Sequence, residues 1–428
     1  MAGSQLSLTI CAYDGRGYFG GPLEWYKRLA PALREVGIET RFLFITDHPP
    51  AECGTYRYLK DAGFNCRALP RHSLSQLRDY TEPRVRWILR QLRRNPPDLF
   101  LANLSVPACF AARWAREAGI PSAPVVHSDD PFYTAMAEEF LGQPGPYRFE
   151  VVVCVSRMLE QSLQARGSGR IEHIPCGTPV PSRRTEWPGN GPLRIAYVGR
   201  LVDKAKRIGL LADAFCRAVL AVPGTEAILI GDGPQRMEVE QIIQSHGCGG
   251  RVTLTGRMDS SGIQERLLDC HVIVLLSDFE GLPMALLEGM ACGAVPVCLS
   301  IRSGIPELVE HEQTGLLVQD RGESFVEAIR RLRTDRALWE RLSAAARQRI
   351  EARYSMPVVA RQWRDLIESL RVPPAGRRPI RIPHRLKLPP VHPGLAGDDR
   401  RWPGWGGYAR RQFHRIGRRC GRQSLEPG

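Results

Sequence analysis

Residues 272–297 limit the choice of fold more than any other stretch of the chain. Val272 to Leu276 is a short apolar run bounded by polar turn residues, the pattern of a strand buried on both faces of a parallel sheet. Gly281 and Pro283 punctuate a tight loop, and Met284 to Met290 resumes with good helix formers. Strand, loop and helix in that order place Glu280 at the carboxyl end of a strand, where open α/β sheets bind ligands. Glu288 lies about two helical turns further on, on the helix that leaves the same mouth.

Two carboxylates thus flank a helix N-terminus whose unpaired amides suit a phosphate. Glu280 is not itself a phosphate ligand, because like charges repel. A carboxylate beside a phosphate accepts hydrogen bonds from hydroxyls, such as those of a sugar. The pair points to a sugar nucleotide. The plainer reading keeps Glu280 as a first-turn acid complementing the helix dipole and Glu288 as a solvated helix residue.

The same succession of strand, turn and helix recurs along the chain. Gln5 to Tyr13 reads as a strand and runs into a Gly-rich loop, Asp14 to Pro22. A helix follows, with Leu23, Leu29, Leu33 and Val36 on one face and a stop at Gly37. The amides of Gly20 and Gly21 are placed to meet a phosphate or an acceptor, although a Gly-rich turn is as often a mere tight connection. Strands are predicted over Ile38 to Ile45, Asp98 to Asn103, Pro124 to His127 and Val151 to Ser156. His127 sits at a strand's carboxyl end, where a ligand role and a structural one are equally open. These elements make residues 1–175 a doubly wound, Rossmann-like α/β domain.

A Pro/Gly-rich passage over 176–192 reads as an interdomain linker. The second domain, 193–356, opens on a strand that breaks at Gly199, before Arg200. Lys204, Lys206 and Arg207 then precede a helix starting near Ile208. Cations oppose a helix N-terminal dipole and so need a reason to be there, and a pyrophosphate would supply one. Another strand ends in Gly231-Asp232-Gly233-Pro234. Residues 357–370 form a final helix, expected to pack back on the first domain.

A chain of 428 residues is too long for one ordinary core. No apolar run approaches the ~18 residues of a membrane span, and no secretory signal is evident at the N-terminus. Twelve cysteines are scattered without metal-ligand spacing, so reduced, buried thiols and no metal site are expected. The net charge of +14 is concentrated: residues 371–428 hold fourteen Lys and Arg against three Asp and Glu, or +11. This tail, with nine prolines, is expected to lack fixed structure. Its Trp402, Trp405, Tyr408 and Phe413 alternate with arginines, which suits an anionic membrane surface; nucleic-acid binding or a solubilising role are the competing readings.

Taken together, Gly199-Arg200-Leu201 with Lys206, Gly231-Asp232-Gly233-Pro234, Glu280-Gly281-x-Pro283 with Glu288, and Gly293-x-x-Pro296-Val297 resemble retaining GT-B glycosyltransferases of the family 4, group 1 type. The resemblance is strongest over 193–335. It implies two Rossmann-like domains facing a cleft and metal-free transfer of a sugar from a nucleoside-diphosphate sugar, without a cofactor, to a glycan or lipid acceptor. It further implies that Arg200 and Lys206 clamp the diphosphate, Glu288 holds the ribose and Glu280 holds the donor sugar. Gly199, Gly231, Gly233, Phe279, Leu282 and Pro283 would form the donor site with Gly281, and His127 would line the sugar from the first domain. A cytoplasmic protein of envelope or polysaccharide synthesis is expected, on or near the inner membrane face. A binding-only or epimerising protein of the same fold is the alternative, and it would have less need of all four charges together. Gly289 stands where the family usually has Ala.

Overall fold

The alternation of apolar strands and amphipathic helices produces two wound sheets in the computed structural model, which describes residues 5–16, 21–46, 48–70, 81–103, 105–142, 144–167, 169–389 and 392–395. The first domain runs β1 (Leu6–Asp14), α1 (Gly21–Glu35), β2 (Ile38–Thr46), α2 (Gly54–Asp61), β3 (Asn65–Pro70), α3 (Thr81–Arg94), β4 (Leu99–Ala102) and α4 (Val106–Glu117). It continues with β5 (Ser122–Ala123), β6 (Val125–Val126), α5 (Pro131–Ala137), β7 (Val151–Cys154), α6 (Arg157–Gln164) and β8 (Arg170–His173). Its strands pair in the order β3-β2-β1-β4-β5, with β6-β7-β8 alongside. The predicted strand over 124–127 is shortened to β6, and Pro124, which has no N–H to give a ladder, separates it from β5.

The second domain comprises β9 (Leu193–Val198), α7 (Ile208–Ala221), β10 (Thr225–Ile230), α8 (Arg236–Ser245), β11 (Val252–Gly256), α9 (Ser260–Leu268), β12 (Val272–Leu275), α10 (Met284–Ala291) and β13 (Val295–Leu299). After it come α11 (Ile305–Leu308), β14 (Leu316–Val318), α12 (Glu323–Thr334) and α13 (Arg336–Arg353). The sheet order is β11-β10-β9-β12-β13-β14, and the named strand pairs of both domains are parallel. Every residue of β4, β12 and β13 is buried, which is why these strands read as unbroken apolar runs.

Helix α14 (Met356–Leu370) returns to the first domain. Trp363 packs on Trp25 of α1 with ring centroids 5.8 Å apart, and Arg364 donates to the carbonyl of Val36 at 2.5 Å. The passage 176–192 does not hang free between the domains. Thr178 exchanges backbone hydrogen bonds with Tyr354 and Met356, and Arg347 of α13 donates to the carbonyls of Pro181 and Arg183.

The expectation of a tail without fixed structure fails for its first part. Residues 371–389 and 392–395 strap across the first domain, with Ile380, Leu386 and Leu395 buried. Arg371 and Arg377 meet the buried carboxylate of Asp98 at 3.1 and 2.5 Å, and Arg86 donates to the carbonyls of Pro383 and His384. His392 bonds Glu138 through its ring at 3.0 Å and Glu139 through its backbone N–H at 2.8 Å, so the strap ends beside α5. Proline content and missing periodicity concealed this because the strap is held by side-chain charges rather than by a ladder. Residues 396–428, with the aromatic and arginine cluster, lie outside the described residues.

Burial works against ionisation of Asp98, but hydrogen bonds from Arg377 and Ser7 outweigh it and hold the carboxyl below its usual range. A depressed folded-state value gives a stabilisation that is present above the ordinary carboxylate pKa of about 3.9 and lost as pH falls through the lower folded value. Asp98→Asn should reproduce that loss at neutral pH, weakening strap docking by about 1.5–3 kcal/mol. Trypsin should then cut after Arg381 and Arg385 much faster than in wild type. Equal cleavage rates would show that the apolar contacts alone hold the strap.

Candidate functional site

The carboxyl ends of the two sheets open on a shared cleft of about 1730 Å³. In the second sheet, β9 lies between β10 and β12, and the chain leaves it in opposite directions on the two sides. That switch point is where a wound sheet leaves a crevice for ligand.

The second domain's wall is built from three turns laid backbone on backbone. Tyr197, buried in β9, donates its hydroxyl to the carbonyl of Arg200 at 3.1 Å and props the Gly199-Arg200 turn; burial pushes its phenol pKa up. Gly231 crosses this turn with φ +150°, and a Cβ there would lie 1.8 Å from the Gly199 carbonyl oxygen, so only glycine fits. The loop before α7 docks on the loop after β12. Asp278 donates its N–H to the Ala205 carbonyl at 2.8 Å, and its carboxylate binds Arg207 at 2.5 Å and Arg321. Partial burial opposes this charge, yet the two arginines hold the Asp278 carboxyl below its ordinary range. Arg207 therefore has a structural reason to stand at a helix start, in the left-handed region at φ 47°. Lys206 pairs instead with Glu280, inside the cleft. Arg200 is exposed to the cleft, and among the described residues its guanidinium has no acidic partner.

The first domain supplies the facing wall from α1 and from the end of β6. Arg28 on α1 reaches across to Glu288 on α10, and Glu24 on α1 accepts from Ser260 on α9 at 3.0 Å. His127 lies edge-on to Trp25 with centroids 5.0 Å apart, and its Nε2 is 3.2 Å from the Asn103 amide, which also donates to Tyr26 at 2.7 Å. Burial pushes the His127 pKa down to about 3, so the ring is neutral at working pH. Asp130 caps α5, accepting from the N–H groups of Phe132 and Tyr133.

The structure brings Arg200, Lys206, Glu280, Glu288 and His127 to one cleft with Gly21, Gly199, Gly231, Phe279, Gly281, Leu282 and Pro283. Gly233 is not brought to the cleft wall; it packs under the turn, where a Cβ would stand 2.3 Å from the Leu201 carbonyl oxygen. Gly20 lies outside the described residues. Asp14, read as part of the Gly-rich loop, is the buried last residue of β1, and its carboxylate accepts from the N–H groups of Gly15 and Tyr56 at 2.9 and 2.8 Å. Sequence reasoning missed Arg28, Asn103, Tyr197, Asp278 and Arg321. For Asp278 the signal was present, two residues ahead of Glu280; Tyr197 props a turn three residues on, and the other three show themselves only through distant partners. Among the described residues, no three His, Cys, Asp or Glu side chains gather to hold a metal.

Residues 19–180 match the family described as Glycosyltransferase Family 4, and residues 183–349 the one described as Glycosyl transferases group 1. Among solved structures, Anabaena HepE in complex with UDP superposes with a TM-score of 0.66 at 20% identity, over 85% of this chain and 100% of that one. Two wound domains facing a cleft at their switch points are the GT-B fold. The chain belongs to the family 4, group 1 glycosyltransferases. It is similar to the exopolysaccharide phosphotransferase SCO2592 of Streptomyces coelicolor, 33% identical over 53% of this chain and 24% of that protein. It is also similar to the amylovoran biosynthesis glycosyltransferase AmsK of Erwinia amylovora, 33% identical over 42% of this chain and 45% of that one. The chain thus spans from a quarter to less than half the length of these curated relatives.

Backbone meets backbone between the domains at Gly281, where a Cβ would fall 2.2 Å from the His127 carbonyl oxygen. Gly281→Ala should push the walls apart at a cost of about 1–3 kcal/mol. A lower melting temperature with a larger radius of gyration by small-angle scattering is expected. An unchanged radius would mean that the 279–283 loop yields instead.

Proposed function

We propose that the chain transfers a sugar from a nucleoside-diphosphate sugar to a glycan or lipid acceptor, with retained anomeric configuration and without a metal ion. The observation that carries this reading is the meeting of two cations, Arg200 and Lys206, with two carboxylates, Glu280 and Glu288, at the N-terminus of α10. Diphosphate oxygens would take Arg200 and draw Lys206 from Glu280, and the freed Glu280 carboxylate would accept the donor sugar's hydroxyls. Glu288, about one turn into that helix, suits the ribose. Neutral His127 offers a hydrogen bond to the sugar and no positive charge. The names of the similar proteins, which concern exopolysaccharide and amylovoran synthesis, favour an envelope or capsule glycan as acceptor.

In the step itself, the bond from the anomeric carbon to the diphosphate oxygen breaks with its electron pair going to the phosphate. The acceptor oxygen bonds that carbon on the same face, and its proton passes to the departing phosphate. Arg200 and Lys206 stabilise the charge that develops on the diphosphate, which is electrostatic catalysis by a preformed site. No side-chain base is needed.

A thermal-shift panel of UDP-, GDP- and ADP-sugars should show one nucleotide class raising the melting temperature, with a chelator making no difference. Lys206→Ala should weaken nucleoside-diphosphate binding about 10- to 100-fold, as expected for one lost charge-assisted contact. Product analysis by NMR should show the donor's anomeric configuration kept. No shift at millimolar donor would favour the binding-only alternative, and consumption of donor without transfer would favour an epimerising one.

Residues 396–428 are proposed to hold the protein on an anionic membrane, because the strap delivers the chain to α5 beside the cleft just ahead of the aromatic and arginine cluster. Truncation after Leu395 keeps the strap and should abolish co-sedimentation with phosphatidylglycerol vesicles. Undiminished co-sedimentation would place the membrane contact elsewhere.

A further inference from the structure

The donor-binding reading leaves one charged group unexplained. Arg28 is almost wholly buried, with 9% of its side chain exposed, on a helix of the domain that does not hold the nucleotide in that reading. Its Nη2 bonds Oε1 of Glu288, while its buried Nη1 has no partner. A buried guanidinium loses solvation that only a good anionic partner offsets, so its position is set by what it binds. Among the described residues, Glu288 spends one carboxylate oxygen on Arg28, and Oε2 accepts no hydrogen bond there. Glu288 also lines the cleft.

We infer that Arg28 is a positioning residue for nucleotide recognition, contributed across the cleft: it fixes the Glu288 carboxylate so that its free oxygen accepts the ribose hydroxyls. This inference rests on the nucleotide-sugar reading above and deepens it. Three consequences follow from the geometry. First, the guanidinium offsets the Glu288 charge when a nucleotide excludes water from the cleft, where a buried charge without a partner is costly. Second, it settles one rotamer of a flexible side chain before the ligand arrives, lowering the ordering cost of binding. Third, because Arg28 belongs to α1 and Glu288 to α10, the ribose is read only when the two domains are together. Ribose binding and cleft closure thereby stabilise each other. The second cross-cleft contact, Ser260 to Glu24 one turn ahead of Arg28 on α1, holds the same two walls in register.

The test compares nucleotides that differ only at the ribose. Binding of UDP and GDP to wild type, measured by calorimetry, identifies the base. The 2′,3′-dideoxy form of that diphosphate is then titrated against wild type, Arg28→Ala and Arg28→Lys. The normal diphosphate should bind Arg28→Ala about 10- to 100-fold more weakly than wild type, the scale of one charged hydrogen bond. The dideoxy form should bind both proteins within about twofold, because the hydroxyls through which Arg28 acts are gone. Arg28→Lys, which keeps the charge without the planar fork, should recover part of the loss. Equal losses for both nucleotides would overturn the inference and assign Arg28 to the phosphates or to packing alone. A wild-type protein that binds neither diphosphate would instead overturn the donor-site reading, and this inference with it.

Discussion

Peptide backbone packed against peptide backbone is the constraint on which the cleft depends. At three crossings, a side-chain carbon would collide with a carbonyl oxygen: Gly231 with Gly199 at 1.8 Å, Gly304 with Gly281 at 1.8 Å, and Gly281 with His127 at 2.2 Å. Glycines at these points let four turns of the second domain and one strand end of the first pass backbone against backbone. The convergence brings the N–H end of α10, the Arg200 turn and the neutral ring of His127 to one place. Any larger residue at a crossing separates walls whose chemistry requires them to be close. The glycines are conformational necessities here, and their contribution to the site is the room they leave.

Charge in the cleft is arranged in pairs, of which Lys206 with Glu280 is the one a diphosphate would open. Without ligand, Lys206 neutralises Glu280 and Arg28 neutralises Glu288, so neither carboxylate stands bare in a cleft with partly apolar walls. Arg200 and Lys204 differ, since both line the cleft exposed and with no acidic partner among the described residues. An incoming diphosphate would meet these unpaired cations before it competes for Lys206. The third pair, Asp278 with Arg207 and Arg321, differs in kind. It lies outside the cleft lining and ties the two loops together, so its strength serves geometry rather than exchange.

The sequence revealed those parts of this arrangement that are local. Strand runs, breaking glycines and the two glutamates on one strand–loop–helix unit could be read because each feature depends on neighbours a few residues away. Arg28 could not, since it sits on an amphipathic helix among other polar residues and its partner is 260 positions distant. Asn103 was hidden for the same reason, its partners Tyr26 and His127 lying on other elements, whereas Tyr197 was hidden as one more apolar residue of β9, although the turn it props is three residues away. The strap failed in the opposite sense. Its prolines and arginines describe a chain with no ladder of its own, and composition is silent about Asp98, a buried acid on another element waiting for those arginines.

The connections between the domains show why closing the cleft is a simple motion. The chain crosses from the first domain to the second near Thr178 and returns near Ser355, and these crossings lie side by side as a parallel bridge. Thr178 accepts from the Met356 N–H at 3.2 Å and donates to the Tyr354 carbonyl at 2.9 Å, so the two passages form one two-stranded strip. Gly177 beside it is closely packed, and a Cβ there would lie 2.7 Å from Met356 Sδ, so that side chain would have to shift. Two domains joined by one narrow strip have rotation about that strip as their softest relative motion. Thr178, Pro179, Met356 and Pro357 also line the cleft, which makes the strip its back edge. The contacts made at its front, Arg28 to Glu288 and Gly281 to His127, are then the ones that a rotation makes or breaks.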